Sequence, residues 1–294
     1  MAAVYEVLHH ISIAGVFVFV VSNMAAIGLG HTIGEILAPL QNARLLLGTL
    51  CANFVILPLA SFGLAVGLRL DNALAEGLIL MGMASGAPFV PKLTELAGGN
   101  LQFAVATMGL LTAGTIVYIP PVLPLLIPEV TVSPLTVARP LLLFVLLPLI
   151  LGLATKAQSE NLARWLKPIL DRISNATLIP VIVLVAALNV DNILHVFGTG
   201  GILAALLLVF VGLLVGWLLG GPSHYTKRAL ALSTGVRNFA VAIVVAEQGF
   251  DDPTVAIMVI VAALIALLVV TPLSFLWGRL PPSSLNRHAS GNRR

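Results

Sequence analysis

Two basic residues, Lys92 and Arg237, each lie inside a long apolar segment of the 294-residue sequence. An arginine at the centre of a membrane-spanning helix costs about 3 kcal/mol on insertion scales, so such residues usually face a cavity or the protein interior. Fixed positive charge at this depth attracts anions, and we predict that both side chains bind an anionic solute. Two other interpretations stay open. Arg237 could tie neighbouring helices together through backbone carbonyls, and Lys92 could extend its ammonium to the membrane surface.

The segment before Lys92 contains two prolines and reads Ser85-Gly86-Ala87-Pro88-Phe89-Val90-Pro91. Pro88 and Pro91 each lack a backbone donor and crowd the carbonyl four residues earlier, so a regular helix should end here. We predict a helix broken at Gly86, Pro88 and Pro91. The half-helix that follows would direct its N-terminal amides into the space near Lys92.

The segment around Arg237 is interrupted without proline and reads Ser233-Thr234-Gly235-Val236-Arg237-Asn238. Glycine and side chains that compete for backbone hydrogen bonds weaken a helix, so we predict a second break at Gly235. Asn238, Ser233 and Thr234 would supply polar contacts to the solute there. Asn53, in another apolar segment, lies deep enough to support the site.

The composition is that of a membrane protein, because 59% of the residues are hydrophobic, 9% are charged and the mean hydropathy is +1.07. We predict an all-α fold with nine segments long enough to cross about 30 Å of hydrocarbon. They cover about 11–30, 43–67, 74–97, 101–127, 136–155, 173–189, 200–220, 228–248 and 254–277. The lipid bilayer is therefore a predicted partner.

Lys and Arg are distributed unequally between the two ends of these spans. One side carries Arg44, Lys156, Arg164, Lys167, Arg172, Lys227, Arg228, Arg279, Arg287, Arg293 and Arg294. The other side carries Arg69 and Arg139. Because basic loops are retained in the cytoplasm, we predict an N-terminus outside and a cytoplasmic C-terminus, in a cell membrane such as the bacterial inner membrane. Topology accounts for these charges, so nothing indicates a nucleic-acid partner.

The two broken helices divide the chain into similar halves. We predict a first repeat at 1–130 with spans one to four, a second at 131–280 with spans five to nine, and a cytoplasmic tail at 281–294. The longest polar loop is expected between Lys156 and Arg172. The third and eighth spans enter from opposite faces, so the repeats would be inverted, and paired broken helices in such repeats indicate a solute site near the midplane.

Metal and enzyme sites are not indicated. The six histidines fall at span ends or in loops, with no acid or cysteine at ligand spacing. No intramembrane Ser–His pair or pair of acids can be assembled, which argues against an enzyme. We predict no metal and no cofactor.

At the two breaks the chain resembles the bile acid:sodium symporter family, and the resemblance extends over nearly the whole sequence. The residues that carry it are Gly86 to Pro91 followed by Leu96-Ala97-Gly98-Gly99-Asn100, and Ser233 to Asn238 followed by Ala240 and Ala242. The resemblance implies a core domain in which the broken helices cross and a panel domain beside it. By that resemblance, the family's first helix is expected to be missing. The core would contain spans two to four and seven to nine, and the panel spans one, five and six.

The sodium ligands that the resemblance implies are largely replaced. Val90 and Pro91 stand for Ser and Asn, Ala104 and Met108 for hydroxyl residues, Ser233 for Glu, and Asn53 and Arg237 for Gln. A hard cation needs several oxygen ligands and is repelled by a guanidinium. We therefore expect that fixed side-chain cations take the electrostatic role of sodium, so that a role for sodium is doubtful. Facilitated diffusion, anion exchange and proton coupling through Lys92 stay open.

Together these features predict a secondary transporter that moves a small organic anion by alternating access. The anion would be a carboxylate, either bile-acid-like or a short organic acid. The alternatives are a sodium-dependent symporter with an altered site and a non-transporting membrane sensor with the same fold.

Overall fold

The computed structural model describes residues 2–127, 135, 139 and 142–279, and these are helical apart from short connections. The helices are α1 (Ala2–Gly30), α2 (Ile33–Leu37), α3 (Ala43–Cys51), α4 (Leu57–Gly67), α5 (Asn72–Met83), α6 (Val90–Leu96), α7 (Leu101–Leu126), α8 (Leu147–Gln158), α9 (Glu160–Leu188), α10 (Val190–Val196), α11 (Gly201–Leu219), α12 (His224–Gly235), α13 (Phe239–Gly249) and α14 (Pro253–Arg279). Short π-helical turns precede α4, at Ala52–Ile56, and α8, at Leu142–Leu146. No strand occurs in this part of the chain.

Seven helical segments within the described residues are long and apolar enough to cross a membrane. They are His10–Gly30, Ala43–Gly67, Leu101–Leu126, Glu160–Leu188, Gly201–Leu219, His224–Gly249 and Pro253–Arg279. Shorter apolar helices at Asn72–Met83 and Leu142–Gln158 fall in the third and fifth predicted spans. Nine spans in inverted repeats stay a prediction. The predicted repeat boundary at 130 and the tail at 281–294 lie outside the described residues.

The predicted polar loop between Lys156 and Arg172 is wrong, because this stretch is helical except at Ser159. The Ser159 hydroxyl accepts a hydrogen bond from the amide of Leu162 and so begins α9 directly after α8 ends. Apolar residues recur every three to four positions along the first turns of α9, which is the helical period. The charged residues among them occupy the remaining positions and do not interrupt the helix.

The helices pack in two groups. α1 lies against α8 and α9, whereas α5 lies against α4 and α14, and α11 lies against α12. Glycines permit the close contacts: an added Cβ at Gly28 of α1 would lie 2.3 Å from the carbonyl oxygen of Leu149. At Gly212 of α11 it would lie 2.6 Å from the carbonyl oxygen of Thr234. Small residues at helix interfaces are what allow such approach in a membrane.

Replacing Gly212 with Ala should separate α11 from α12 and lower stability by about 1–3 kcal/mol, the usual cost of overpacking. The measurement is thermal unfolding of the purified protein in detergent. Gly63→Ala in α4 is the matched control, since no atom lies within 4 Å of its added Cβ. Equal unfolding temperatures for the two variants would contradict the close packing.

Candidate functional site

The two interrupted helices meet in the interior of the protein. Residues 84–89 separate α5 from α6, and residues 236–238 separate α12 from α13. The backbone amide of Asn238 donates to the carbonyl of Ala84 at 2.9 Å, and its side-chain amide donates to the carbonyl of Gly86 at 3.0 Å. Each break therefore satisfies backbone groups of the other, which a membrane interior requires.

Helix α7 supports the first break from the other side. The Thr112 hydroxyl donates to the carbonyl of Gly86 at 3.2 Å, and the Thr115 hydroxyl lies 3.2 Å from both the amide and the carbonyl oxygen of Ser85. Gly86 has a φ of +84°, and a Cβ there would lie 2.5 Å from the amide nitrogen of Thr112. Only glycine fits this position, because both the backbone angle and the space exclude a side chain.

The guanidinium of Arg237 lies beside the crossing, against the end of α5 and the π-helical turn at Ala52–Ile56, and oxygen atoms enclose it. Its Nε donates to the carbonyl of Met81 at 3.0 Å, and its Nη1 donates to Oδ1 of Asn53 at 2.7 Å. Its Nη2 contacts the Ser85 hydroxyl at 2.7 Å, the Asn53 carbonyl at 3.5 Å and the carbonyl of Gly82. Arg237 is 3% exposed. Met81 and Gly82 end α5, so the positive charge meets the negative end of a helix dipole.

The π-helical turn before α4 explains how Asn53 can offer a backbone oxygen. The amide of Leu57 donates to the carbonyl of Ala52, one residue earlier than in an α-helix. In that register the donor for the Asn53 carbonyl would come from Pro58, which has no N–H. The carbonyl is therefore free to accept from Arg237. π-helical turns often occur at functional sites for this reason.

Lys92 and Arg237 contact different residues. The Lys92 ammonium forms an ion pair with Glu95 at 2.6 Å, and the two side chains are 5% and 53% exposed. Glu95 lies three residues after Lys92, so the two side chains share one helix face. The two cations are therefore not brought together, and each has its own partners.

The remaining predicted site residues mainly hold helices in place. The Ser233 hydroxyl lies 3.3 Å from that of Thr107, and Thr234 donates to the carbonyl of Leu230 at 2.8 Å. Thr234 also accepts from the Asn53 amide at 3.3 Å. Gly235 packs against Leu213, whose side chain would lie 2.9 Å from an added Cβ.

A cavity with two lobes lies on one side of the crossing, and we call it the interhelical cavity. The lobes measure about 410 and 170 Å³. Residues shared by both lobes are Ile13, Val16, Phe239 and Ile243. The larger lobe also reaches Pro88 and Asn238, at the two breaks. The lining of neither lobe includes Lys92 or Arg237.

Helix α1 lines the interhelical cavity with its first half and closes it towards a second, smaller void with residues further along. The Phe19 and Phe89 rings stack at 4.5 Å, and the side-chain amide of Asn23 donates to the carbonyl of Pro88 at 3.3 Å. Beyond this contact a polar void of about 20 Å³ is lined by Glu95, Lys167 and other residues. Sequence reasoning missed Asn23, although a single amide within the apolar segment 11–30 is the signal that could have found it.

The sequence matches the family model described as the Sodium Bile acid symporter family over residues 17–196. A probable chloroplastic sodium/metabolite cotransporter of Arabidopsis thaliana is 25% identical over 90% of this chain and 66% of its own length. An uncharacterized sodium-dependent transporter of Bacillus subtilis is 28% identical over 68% of this chain and 63% of its own length. The chain thus spans slightly less than two thirds of these relatives.

Replacing Asn53 with Leu should lower stability by about 2–3 kcal/mol, because a charged donor of Arg237 would lose its acceptor in the interior. Asn53→Asp is the matched comparison: it keeps the acceptor and adds a charge that pairs with the guanidinium, but it loses the amide's donations to Thr49 and Thr234, so its loss of stability should be smaller than that of the Leu variant. Thermal unfolding in detergent measures both. If the Leu variant were as stable as the Asp variant, the contact between Asn53 and Arg237 would contribute nothing to stability.

Proposed function

The chain belongs to the Sodium Bile acid symporter family, and from that premise we propose that it is a secondary transporter of an organic anion that works by alternating access without sodium. It is a multi-pass membrane protein. The proposal rests on one observation: the Arg237 guanidinium is surrounded by oxygen atoms of Asn53, Met81, Gly82 and Ser85, which we call the oxygen cluster.

The contacts of Arg237 are those that a bound cation would make. Carbonyl, amide and hydroxyl oxygens from two separate segments, Asn53 and the stretch 81–85, converge on one positive charge, and hard cations prefer such oxygen ligands. A sodium ion about 4 Å from the guanidinium would be repelled by about 4 kcal/mol at an effective dielectric constant of 20. Arg237 therefore both satisfies the oxygens and excludes the ion.

The resemblance supports the same conclusion at the other predicted sodium ligands. Val90 and Pro91 offer carbon side chains where the resemblance implies Ser and Asn, and Ala104 and Met108 are buried carbon and thioether side chains on α7. Of the two predicted cations, Arg237 alone is now assigned the role of sodium. Lys92 is paired with Glu95, and proton coupling through that pair is a separate possibility beside uniport and anion exchange.

The interhelical cavity is the proposed binding site. Its lining is almost entirely aliphatic and aromatic, so burial of an apolar body would supply most of the binding free energy, at about 25 cal/mol per Å². The anionic group would lie near Asn238 and the first turn of α13, where backbone amides carry partial positive charge. The positive charge of Arg237 would strengthen this attraction, although its side chain does not line the cavity. A lobe of about 410 Å³ favours a body larger than that of a short hydrophilic acid.

We also propose the finer arrangement that the sequence predicts. α1, α8 and α9 would form the panel, and the crossing helices would belong to the core, within two inverted repeats. The N-terminal end of α1 would face outward and the C-terminus the cytoplasm of a cell membrane. In that orientation the interhelical cavity faces outward and the contact between Asn23 and Pro88 closes the cytoplasmic side.

A sodium-dependent symporter with an altered site is the second candidate, because the descriptions of both relatives include sodium. Uptake into proteoliposomes separates the two. We use naphthalene-2-sulfonate as probe, since it has a flat apolar body and a permanent negative charge. Counterflow of the probe should proceed at the same rate in choline and in sodium buffer. Uptake that occurs only with an inward sodium gradient would refute the proposal.

Replacing Arg237 with Gln should reduce probe counterflow in choline buffer at least tenfold, because the oxygen cluster then lacks its cation. Sodium should restore part of the rate, since an amide oxygen joins the oxygens already present. Counterflow at increasing sodium concentration is the measurement. A variant as active as the unmodified protein in choline would show that Arg237 has no such role.

Replacing Val16 with Trp should reduce probe transport at least tenfold, because Val16 lines both lobes and an indole ring would obstruct the cavity where they meet. Val117→Trp is the control, since Val117 is 74% exposed and lines neither lobe. Initial rates and folded yield are measured for both. Equal rates would place the solute elsewhere.

A further inference from the structure

Arg237 keeps a net positive charge at the centre of the protein. Among the described residues the ion pairs are Lys92 with Glu95 and Lys167 with Asp171, so no carboxylate lies within 4 Å of this guanidinium. The oxygens around it are dipoles, which lower the energy of the charge without cancelling it. The crossing therefore carries one uncompensated elementary charge when the interhelical cavity is empty.

How this charge responds to a membrane potential depends on where it lies relative to the cavity and to the dry barrier. Phe89 and Pro88 line the cavity and Asn23 lines the polar void, so the Phe19–Phe89 stack and the Asn23–Pro88 hydrogen bond lie between the cavity and the void and form the dry barrier. A potential falls mainly across the dry barrier and little across a water-filled cavity. When access alternates, the dry barrier changes side, and the charge passes from one potential to the other even if Arg237 does not move.

We infer that the protein is electrogenic and that the membrane potential favours export of its anion. This inference rests on the proposed function, in which no sodium accompanies the solute. The empty transporter would carry one positive charge through the field, and the transporter loaded with a monoanion would carry none. A negative interior draws the empty transporter to its inward-facing state, where it can load a cytoplasmic anion.

The size of the effect follows from one elementary charge. A potential of 100 mV changes the equilibrium between the outward-facing and inward-facing empty states about 50-fold when the whole field is crossed. Exchange of one anion for another uses only the neutral loaded form and is insensitive to potential. Net transport needs the charged empty form and is therefore sensitive to the membrane potential.

The test measures the empty transporter directly. Val16→Cys, which lines both lobes, is introduced together with Cys51→Ala, since Cys51 is an exposed free thiol. Proteoliposomes in sodium-free buffer receive a potassium diffusion potential through valinomycin, and a membrane-impermeant maleimide is added outside. Molecules with the N-terminal end of α1 outward should be labelled at least ten times more slowly at −100 mV inside than at +100 mV.

Two further variants test whether Arg237 carries the charge that responds to the membrane potential. In Asn53→Asp the added carboxylate would neutralise the guanidinium, so labelling should no longer depend on potential. In Arg237→Lys the charge is retained, and the dependence should persist. Labelling of the parent that is the same at both potentials would overturn the inference, as would full dependence in the Asp variant.

Failure of the inference can be told from failure of the proposed function by the sodium-free counterflow of naphthalene-2-sulfonate in the same proteoliposomes. Counterflow without sodium together with potential-independent labelling leaves the proposed function intact and overturns electrogenic export. Counterflow that requires sodium overturns both.

Discussion

Backbone carbonyls exposed within a membrane must find a donor or a cation, and this requirement organises the interior of the protein. Both broken helices end in the interior, and α5 presents the carbonyls of Met81 and Gly82 there. Asn53 contributes a third carbonyl because a π-helical turn and Pro58 leave it without a backbone donor, and the Ser85 hydroxyl shares it with Arg237. One guanidinium contacts all three, so a single side chain connects the turn before α4, α5 and the second break.

The same arrangement separates the fixed charge from the cavity that we propose as the solute site. The interhelical cavity is lined by carbon and reaches the breaks only at Pro88, Asn238 and their aromatic neighbours. Arg237 directly precedes Asn238 in the chain, but its side chain contacts Asn53 and does not line the cavity. An anion in the cavity would therefore be attracted by potential and by the first turn of α13 rather than by a direct ion pair. Such a site can release its solute more readily than one in which a buried ion pair must be broken.

The membrane class, the two breaks and the burial of Arg237 could be predicted because they depend on local composition and on length. The oxygen partners of Arg237 could be predicted only in part. Asn53 was expected near the site, whereas the carbonyls of Met81 and Gly82 have no signature in the sequence. A sequence gives the depth of a side chain but not its direction, and so the separation of Lys92 from Arg237 was missed.

The predicted loop at 156–172 shows a related limit. Charged residues there were interpreted as a connection, but a helix that extends beyond the apolar span accepts charges on its exposed face. Asn23 was missed for a different reason. A single amide in an apolar helix gives no indication of its partner, which here is a carbonyl 65 residues away in the chain.

The central claim is that the Arg237 guanidinium occupies the place of a sodium ion, and equilibrium binding of radioactive sodium to the purified protein tests it most directly. The unmodified protein should bind no sodium at this site up to millimolar concentrations, and the Arg237→Gln variant should bind one ion per chain. Saturable binding to the unmodified protein, lost when Asn53 or Ser85 is replaced with Ala, would contradict the account.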